Sequence, residues 1–315
     1  ADRCRRDHLP LLVLLSGGAS SLMCVPEHGL SVDDLAGLTD ALSRAGAPIA
    51  ELNAVRQHCD RAKGGGLARA AAPSPVFTLV LSDVIGNPID LIGSGPTAAP
   101  RATAADALAI LERRGLSRRF KSVAAHLRLR STSPIEGPMP PVHHDIFVDN
   151  AAAIAAAAGR LTELGFTVAA PVTGVAGEAR DRAFEFVAAA RTARARAGSP
   201  GPVALVWGGE TTVTVKGKGR GGRNLEAALA AAIMLDGEPA MTVATFATDG
   251  VDGAADAAGA IVDGRTAAMA RQGGRDPEAY LAANDSLGFF EGGHELLAPG
   301  PTGTNVNDLW VALAY

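Results

Sequence analysis

A glycine-rich stretch, residues 208–226, carries the side chains best suited to binding a charged group. Four cations lie in it among the glycines: Lys216, Lys218, Arg220 and Arg223. Glycine lets the main chain approach a bound group closely, and the N-terminus of a helix offers free backbone N–H groups. Ammonium and guanidinium groups add formal positive charge. The combination predicts a phosphate-binding site, with a solvated glycine hairpin as the alternative.

A strand and a helix are expected to position this stretch. Residues 211–215 are rich in β-branched side chains, which favours a strand. Leu225, Ala228 and Leu229 have helical spacing, which predicts a helix that begins at Arg223.

The same glycines also satisfy the dinucleotide fingerprint G-x-G-x-x-G, at Gly217, Gly219 and Gly222. That fingerprint requires a preceding strand and an acidic residue about 20 positions later, at the end of the next strand. Asp249 follows the next predicted strand, Met241–Ala247. A dinucleotide site is therefore the alternative to a phosphate site.

Carboxylates that follow predicted strands are candidate metal ligands. Asp249 and Asp252 lie three residues apart in a glycine-rich loop. Mg²⁺ prefers a few carboxylates, completed by water and phosphate oxygens. Asp83 follows the predicted strand Val76–Leu81, and the carboxyl ends of strands are where open α/β sheets place ligand chemistry. It is a candidate to hold Mg²⁺ or to accept a proton, and an Asx-turn is the alternative for the first pair.

Two small polar loops lie in the first third of the chain. Residues 16–21 follow the predicted strand Leu11–Leu15, and their amides and hydroxyls suit a phosphate or carboxylate. Residues 93–97 predict a rigid turn that presents the hydroxyls of Ser94 and Thr97.

A predicted helix after Pro48 carries a polar stripe that runs into three glycines. Asn53, Arg56, Asp60 and Lys63 are spaced by three or four residues, which places them on one face. Ligand contact and an ordinary solvated face are both open for this stripe.

Alternating strands and helices predict an α/β fold with mainly parallel sheets covered on both faces. The 315 residues are long enough for two domains. The glycine- and proline-rich residues 197–202 are the best linker candidate, which gives domains of residues 1–199 and 200–315.

Composition excludes several other classes of protein. A net charge of −4, without basic-aromatic motifs, argues against nucleic-acid binding. Three cysteines without a C-x-x-C pair indicate neither zinc nor a disulfide framework, which fits a reducing cytoplasm. No apolar run approaches the roughly 20 residues of a membrane helix.

Taken together, the motifs resemble those of the glycerate 2-kinase family, whose C-terminal part is called the MOFRL domain. The matching segments follow the family's order along nearly the whole chain: residues 16–21, 53–56, 63–65, 82–84, 93–97, 177–180, 208–215, 221–224, 248–250 and 300–305.

The resemblance implies ATP- and Mg²⁺-dependent phosphorylation of D-glycerate to 2-phosphoglycerate. It implies two α/β domains, the first of them Rossmann-like, with the active site in the cleft between them. The partners expected are D-glycerate and a nucleotide, with a homodimer as an option for the assembly.

Individual roles carry over with the motifs. Arg223, Lys63 and Asp83 are expected to be catalytic, and Asp249 and Asp252 to hold the metal. Substrate and phosphate groups are expected to contact a larger set: Ser16, Gly17, Gly18, Ser20, Arg56, Ser94, Thr97, Glu210, Lys218, Gly219, Arg220, Gly221, Gly222, Asn224, Thr302, Thr304 and Asn305.

One family feature is not found in this sequence. Family members carry an upstream Gly-x-Gly-Lys-Ala motif whose lysine is regarded as catalytic, and no such motif occurs in these 315 residues. The first domain is therefore expected to be N-terminally incomplete relative to the family. Two alternatives to the kinase remain: an NAD(P)H-dependent hydroxypyruvate reductase, and a non-catalytic homologue that binds phosphometabolites.

Overall fold

A computed structural model describes residues 1–133, 137–196 and 201–315. Its chain divides into two units, Ala1–Phe147 and Val148–Tyr315. Of the predicted linker, residues 197–200 lie outside the described residues. Within the described part of the chain, every helix is too short or too polar to span a lipid bilayer.

The first unit combines a small sheet with a group of helices. In chain order its elements are α1 Asp2–Asp7, β1 Leu11–Leu15, α2 Ala19–Leu22, α3 Val32–Arg44, α4 Ile49–Cys59, α5 Gly66–Ala71, β2 Val76–Leu81, the 3-10 helix Ile92–Ser94, α6 Ala104–Arg113, α7 Lys121–Thr132 and β3 Val142–Val148.

The sheet of the first unit has the order β1-β2-β3, and β1 runs parallel to β2, with Leu11 opposite Val76. Leu15 and Val80 pack on Ile92 of the 3-10 helix. The amphipathic helices α3, α4, α6 and α7 bury their leucine and valine faces against each other in a second core. Ser31 and Asp34 form a capping box at the start of α3.

The second unit is a layered α/β structure. Its elements in chain order are α8 Asn150–Glu163, β4 Thr167–Val168, β5 Val172–Val175, α9 Ala179–Arg196, β6 Val203–Gly209, α10 Arg223–Met234, β7 Met241–Ala247, β8 Gly259–Asp263, α11 Thr266–Gln272, α12 Pro277–Ala282, α13 Ser286–Phe290, β9 Leu296–Leu297 and β10 Asp308–Ala314.

Helices cover both faces of the second unit's sheet. α9 and the alanine-rich α10 pack on one face, where Phe186, Leu229 and Trp310 are buried together. α8 covers the other face, where Ile154 contacts Val206 and Leu309. The predicted α/β class with flanking helices is therefore confirmed.

The strand pairing of this sheet departs from the prediction of a mainly parallel sheet. Its order is β4-β6-β10-β7-β8-β9, and β5 also pairs with β6. β10 is antiparallel to both β6 and β7, and β8 is antiparallel to β7 and β9. The pairs that β4 and β5 form with β6 are parallel. The last strand of the chain returns to the middle of the sheet, which strand-helix alternation does not reveal.

The boundary between the units also differs from the predicted division at residues 199 and 200. Thr167 and Val168 pair with Val203 and Ala204, so β4 belongs to the second sheet. α9 packs on α10 in the same core. The glycine- and proline-rich segment therefore joins two elements of one unit.

The strand predicted before the glycine loop is misplaced. β6 ends at Gly209, and residues 211–215 make only an isolated bridge, between Thr212 and Glu178. The predicted helix from Arg223 is confirmed as α10.

Candidate functional site

A cavity of about 360 Å³ opens beside the N-terminus of α10 in the second unit. Its wall includes Thr211, Gly221, Gly222, Arg223, Asn284 and Ser286. The glycine loop, the start of α10 and the turn between α12 and α13 therefore meet at one place.

The turn between α12 and α13 fixes the glycine loop. The side-chain oxygen of Asn284 accepts hydrogen bonds from the backbone N–H groups of Lys216, at 2.8 Å, and Gly217, at 2.9 Å. Asp285 Oδ1 accepts the backbone N–H of Arg220 at 2.9 Å. These loop amides are thus bonded to the protein itself, whereas the sequence predicted that they bind phosphate. The sequence prediction did not include this role, because Asn284 and Asp285 lie more than 60 residues after the loop.

The glycines of the fingerprint are required by packing against the chain itself. A Cβ at Gly217 would collide with the carbonyl oxygen of Ala283, and one at Gly222 would collide with the carboxylate of Asp252. No strand leads directly into the loop, and β10 separates β6 from β7. The structural context of a dinucleotide fingerprint, consecutive strands around the glycine turn, is therefore absent from these described elements.

Asp252 already occupies the N-terminus of α10. Its Oδ1 accepts the backbone N–H of Asn224 at 3.1 Å, and its Oδ2 accepts that of Leu225 at 2.7 Å. The residue is 1% exposed. Burial raises the pKa of Asp252 from 3.8 to about 6, and the two backbone N–H groups oppose that rise.

Among the described residues that line the cavity, Arg223 is the one with a positively charged side chain. Its Nε and Nη2 donate to Asp308 Oδ2 at 2.6 Å and Oδ1 at 2.9 Å, while Nη1 lies 3.5 Å from Glu210 Oε1. Burial disfavours the charged guanidinium, but the hydrogen bonds and charge of Asp308 outweigh that effect and raise the pKa of Arg223. The side chain remains 30% exposed.

The other predicted cations of the loop lie outside the cavity wall. Lys218 and Arg220 are exposed, and Arg220 pairs with Glu291 at the surface at 2.8 Å. An exposed pair of this kind contributes little to stability. Gly219, Gly221 and Gly222 line the cavity.

The loop that precedes β10 supports the loop that contains Asp249. Thr302 donates its hydroxyl to the carbonyl of Thr248 at 2.6 Å, and its backbone N–H to the carbonyl of Asp249 at 3.1 Å. Asn305 Oδ1 accepts the backbone N–H of Asn307 at 3.0 Å, and the Thr304 carbonyl accepts the Thr302 hydroxyl at 3.1 Å. These predicted ligand groups hold the loops together.

A second cavity, of about 380 Å³, lies in the first unit and is lined by Ser20, Ser21, Cys24, Arg56, Asp60 and Lys63, among others. The predicted polar loop and the predicted polar stripe therefore line one cavity, although α4 ends at Cys59 and leaves Asp60 and Lys63 beyond the helix.

Two contacts fix the polar loop beside this cavity. Arg56 Nη2 donates to the carbonyl of Ser20 at 2.9 Å. The hydroxyls of Ser20 and Ser94 lie 2.9 Å apart, and that of Ser94 donates to Asn53.

Lys63 is held in a buried ion pair. Its Nζ lies 2.7 Å from Asp60 Oδ2 and donates to the carbonyl of Met23 at 2.6 Å. Both side chains are at most 2% exposed. This lysine therefore fixes the end of α4 against the chain that follows α2, a structural task that the predicted catalytic role did not include.

The other predicted site residues of the first unit are Ser16, Gly17, Gly18, Asp83 and Thr97. Gly18 is the residue before α2 and has a positive φ of 79°. A Cβ at Gly17 would collide with the carboxylate of Asp83, whose pKa is raised by burial. Thr97 is buried, and its hydroxyl accepts a hydrogen bond from Thr78 at 3.0 Å. Ser16 is exposed, and its hydroxyl lies 3.5 Å from the carbonyl of Gly17.

The described residues contain no group of three or more His, Cys, Asp or Glu side chains that could hold an ion. Asp249 is partly exposed, and its Oδ1 accepts the backbone N–H of Val251 at 3.1 Å. It is therefore sterically more available than the buried Asp252.

Comparison with known proteins identifies the family. Residues 1–128 match a domain of unknown function (DUF4147), and residues 203–308 match the MOFRL family. The D-glycerate 2-kinase of Thermotoga maritima is 42% identical over 308 residues, which are 96% of this chain and 72% of the relative. The chain belongs to the glycerate kinase family.

Solved structures agree with this membership. The crystal structure of a glycerate kinase from Thermotoga maritima matches with a TM-score of 0.87 and 39% identity, over 98% of this chain and 73% of the other. A relative from Agrobacterium vitis carries the label hydroxypyruvate reductase. It is 38% identical, over 95% of this chain and 68% of the relative. Relatives at 38–42% identity therefore carry either the kinase name or the reductase name.

Proposed function

We propose that this glycerate kinase family protein transfers a phosphoryl group from ATP to the 2-hydroxyl of D-glycerate, giving 2-phosphoglycerate. Its likeness to a D-glycerate 2-kinase over 96% of the chain supports this activity. The structural observation that carries the proposal is the position of Arg223, a charged guanidinium at the wall of a cavity beside a glycine loop.

Arg223 has hydrogen-bonding capacity to spare. A guanidinium has five N–H donors, and Asp308 accepts two of them, one from Nε and one from Nη2. The other three are one on Nη2 and two on Nη1, which lies 3.5 Å from Glu210 Oε1, and these can turn to oxygens of a transferring phosphoryl group. Phosphoryl transfer depends chiefly on positioning and on neutralising charge, and an arginine supplies both. Arg223 is therefore our proposed catalytic cation.

The two proposed metal ligands fit Mg²⁺ unequally. Asp252 does not fit, because both of its oxygens accept N–H groups of α10 and the side chain is buried. Asp249 fits as a single carboxylate, with nucleotide phosphates and water supplying the other ligands. Mg²⁺ bound with ATP would supply neutralisation of the phosphate charge.

We propose the cavity of the first unit as an anion site in its own right. Arg56 is half-buried there, and one of its Nη2 protons is donated to Ser20, which leaves other donors for a bound anion. Arginine suits a carboxylate because its donors match the two oxygens. The buried pair of Lys63 and Asp60 would keep α4 in place below this site.

The reductase alternative has less support from the geometry. The glycines of the fingerprint pack against Ala283 and Asp252, and the paired strands that a dinucleotide turn requires are separated by β10. A hydride-transferring enzyme would also need no ATP. Both the cavity beside Arg223 and the sequence similarity to a D-glycerate 2-kinase favour the kinase activity.

A two-substrate assay separates these activities. The native full-length protein is incubated with ATP, Mg²⁺ and D-glycerate, and ADP is measured; in parallel it is incubated with NADH and hydroxypyruvate, and absorbance at 340 nm is followed. The kinase proposal predicts glycerate-dependent ADP and no NADH oxidation. NADH oxidation without ADP release would support the reductase, and saturable binding of ATP without either product would support a non-catalytic homologue.

A further inference from the structure

The carboxylate of Asp308 is fully committed to two neighbouring side chains. Oδ2 accepts Arg223 Nε at 2.6 Å, and Oδ1 accepts both Arg223 Nη2 and Asn224 Nδ2, each at 2.9 Å. Asp308 is 2% exposed. Three donors converge on one buried carboxylate, so its position is closely defined.

We propose that Asp308 is a positioning residue that fixes the guanidinium of Arg223 for catalysis. The proposal rests on the proposed function. Asp308 bonds the Nε side of the guanidinium, so the plane and direction of the group are set. Its outer nitrogen, Nη1, lies 3.5 Å from the half-exposed Glu210, a longer contact that a ligand can replace. A bidentate pair gives more geometric specificity than a single hydrogen bond.

One further contact orients Asn224, and through it Asp308. Trp310 Nε1 donates to Asn224 Oδ1 at 3.0 Å. Since an indole N–H can only donate, it directs the carbonyl side of the Asn224 amide toward Trp310 and the NH₂ side toward Asp308. Asp308 and Trp310 both lie on β10, whereas Arg223 and Asn224 begin α10. The central strand of the sheet thus sets the direction of the arginine.

Stabilisation of the fold alone would not require this arrangement. A buried ion pair is often no more stable than an apolar pair of similar volume, because desolvation offsets the charge attraction. Arg223 nevertheless keeps one end in the cavity wall while Asp308 holds the other end. This asymmetry is the expected form of a side chain held ready for a ligand.

A double-mutant cycle tests the proposal in the native full-length protein. Asp308→Asn places an N–H donor against the donors of Arg223, so the guanidinium should move. We expect kcat to fall about 100-fold with KM for D-glycerate within about threefold, since a displacement of about 1 Å can cost that much. In an Arg223→Ala background, Asp308→Asn should have no further effect on kcat.

Controls separate positioning from loss of structure. Glu238→Gln removes another carboxylate that accepts two bonds from one arginine, Arg191, and should leave kcat within about twofold. If Asp308→Asn does not fold, Trp310→Phe is measured in its place: it releases the Asn224 amide, and kcat should fall about fivefold at unchanged KM. An unchanged kcat in the variant measured would overturn the proposal. A fall in kcat by the same factor in the wild-type and the Arg223→Ala backgrounds would also overturn it.

An activity-independent measurement distinguishes failure of this inference from failure of the proposed function. In protein labelled with ¹⁵N-arginine, the Nε–H of Arg223 should exchange slowly with water, and Arg223→Ala identifies its resonance. Asp308→Asn should make that exchange at least tenfold faster. A wild-type protein without kinase activity contradicts the proposed function, whereas unchanged exchange in Asp308→Asn contradicts the positioning role.

Discussion

Asp252 accepts the backbone N–H of Leu225 at 2.7 Å and so fills the N-terminus of α10 with a carboxylate of the chain itself. Helix N-termini attract anions, and a glycine-rich approach to one predicts a bound phosphate. Here the attraction is already satisfied by a side chain. Binding of an external phosphate at this cavity must therefore depend mainly on Arg223 and less on the helix.

The pKa of Asp252 predicts a specific pH dependence of stability. Burial raises the pKa of Asp252 from 3.8 to about 6, so between these values the folded chain holds a proton that the unfolded chain releases. The stability contributed by this group is therefore full well below pH 3.8 and is lost as the pH rises from there to about 6.

Asp252→Asn tests this dependence. Relative to the variant, wild-type stability should fall by up to about 3 kcal/mol between pH 4 and pH 7, because each unit of pKa shift is worth about 1.4 kcal/mol. Denaturant unfolding of both proteins at several pH values measures the difference. Parallel pH profiles for the two proteins would show that Asp252 does not titrate in this range.

Arg223→Ala should lower kcat about 1,000-fold, because a transition-state cation is removed from phosphoryl transfer. Arg191→Ala is a matched control: Arg191 donates to the carbonyl of Met234 at the opposite end of the same helix. That variant should lose some stability but keep kcat within about twofold. Steady-state ADP release measures both, and near-normal turnover of Arg223→Ala would remove its proposed role.

Asn284→Gly should loosen the glycine loop. Asn284 has a positive φ of 51°, which glycine tolerates, so the substitution removes the side-chain contacts without adding backbone strain. The amides of Lys216 and Gly217 should exchange with solvent at least tenfold faster, since each loses a hydrogen bond.

Hydrogen exchange measures this effect, and a second variant controls for glycine itself. Asn87→Gly makes the same substitution at another residue of positive φ, 53°, in the first unit. It should leave exchange at residues 216 and 217 unchanged. Equal protection in Asn284→Gly and wild type would show that the loop is held by other contacts.

Lys63→Met should destabilise the protein by about 3–5 kcal/mol. The substitution leaves the buried carboxylate of Asp60 without its cation, which is the costly way to break a buried pair. Lys63→Met combined with Asp60→Asn should recover part of the loss. Denaturant unfolding measures both, and a single variant as stable as wild type would contradict the structural role of this lysine.

Local patterns predicted individual elements well. Leu11–Leu15, Val76–Leu81 and Met241–Ala247 were predicted with the bounds that the structure has, because short apolar or β-branched runs between turn residues are typical of strands. The helix from Arg223 followed from its apolar spacing. The glycines and cations of the same stretch predicted a phosphate site there, and the structure places Arg223 and three of the glycines at a cavity wall.

Long-range relationships were not accessible in this way. Asp308 lies 85 residues after Arg223, and Asn284 lies 67 residues after Gly217. Nothing in the local pattern of either segment names its partner. Insertion of β10 between β6 and β7 also changed the sheet from the predicted parallel arrangement. The sequence thus indicated which residues carry charge, and tertiary contacts decided which of them face a cavity.

Phosphorus NMR of the reaction products tests the central claim most directly. The native full-length protein and its Arg223→Ala variant are each incubated with ATP, Mg²⁺ and D-glycerate. The account predicts 2-phosphoglycerate and ADP in equal amounts from the wild type, and almost none from the variant. Formation of 3-phosphoglycerate, absence of any phosphoglycerate, or equal yields from both proteins would contradict it.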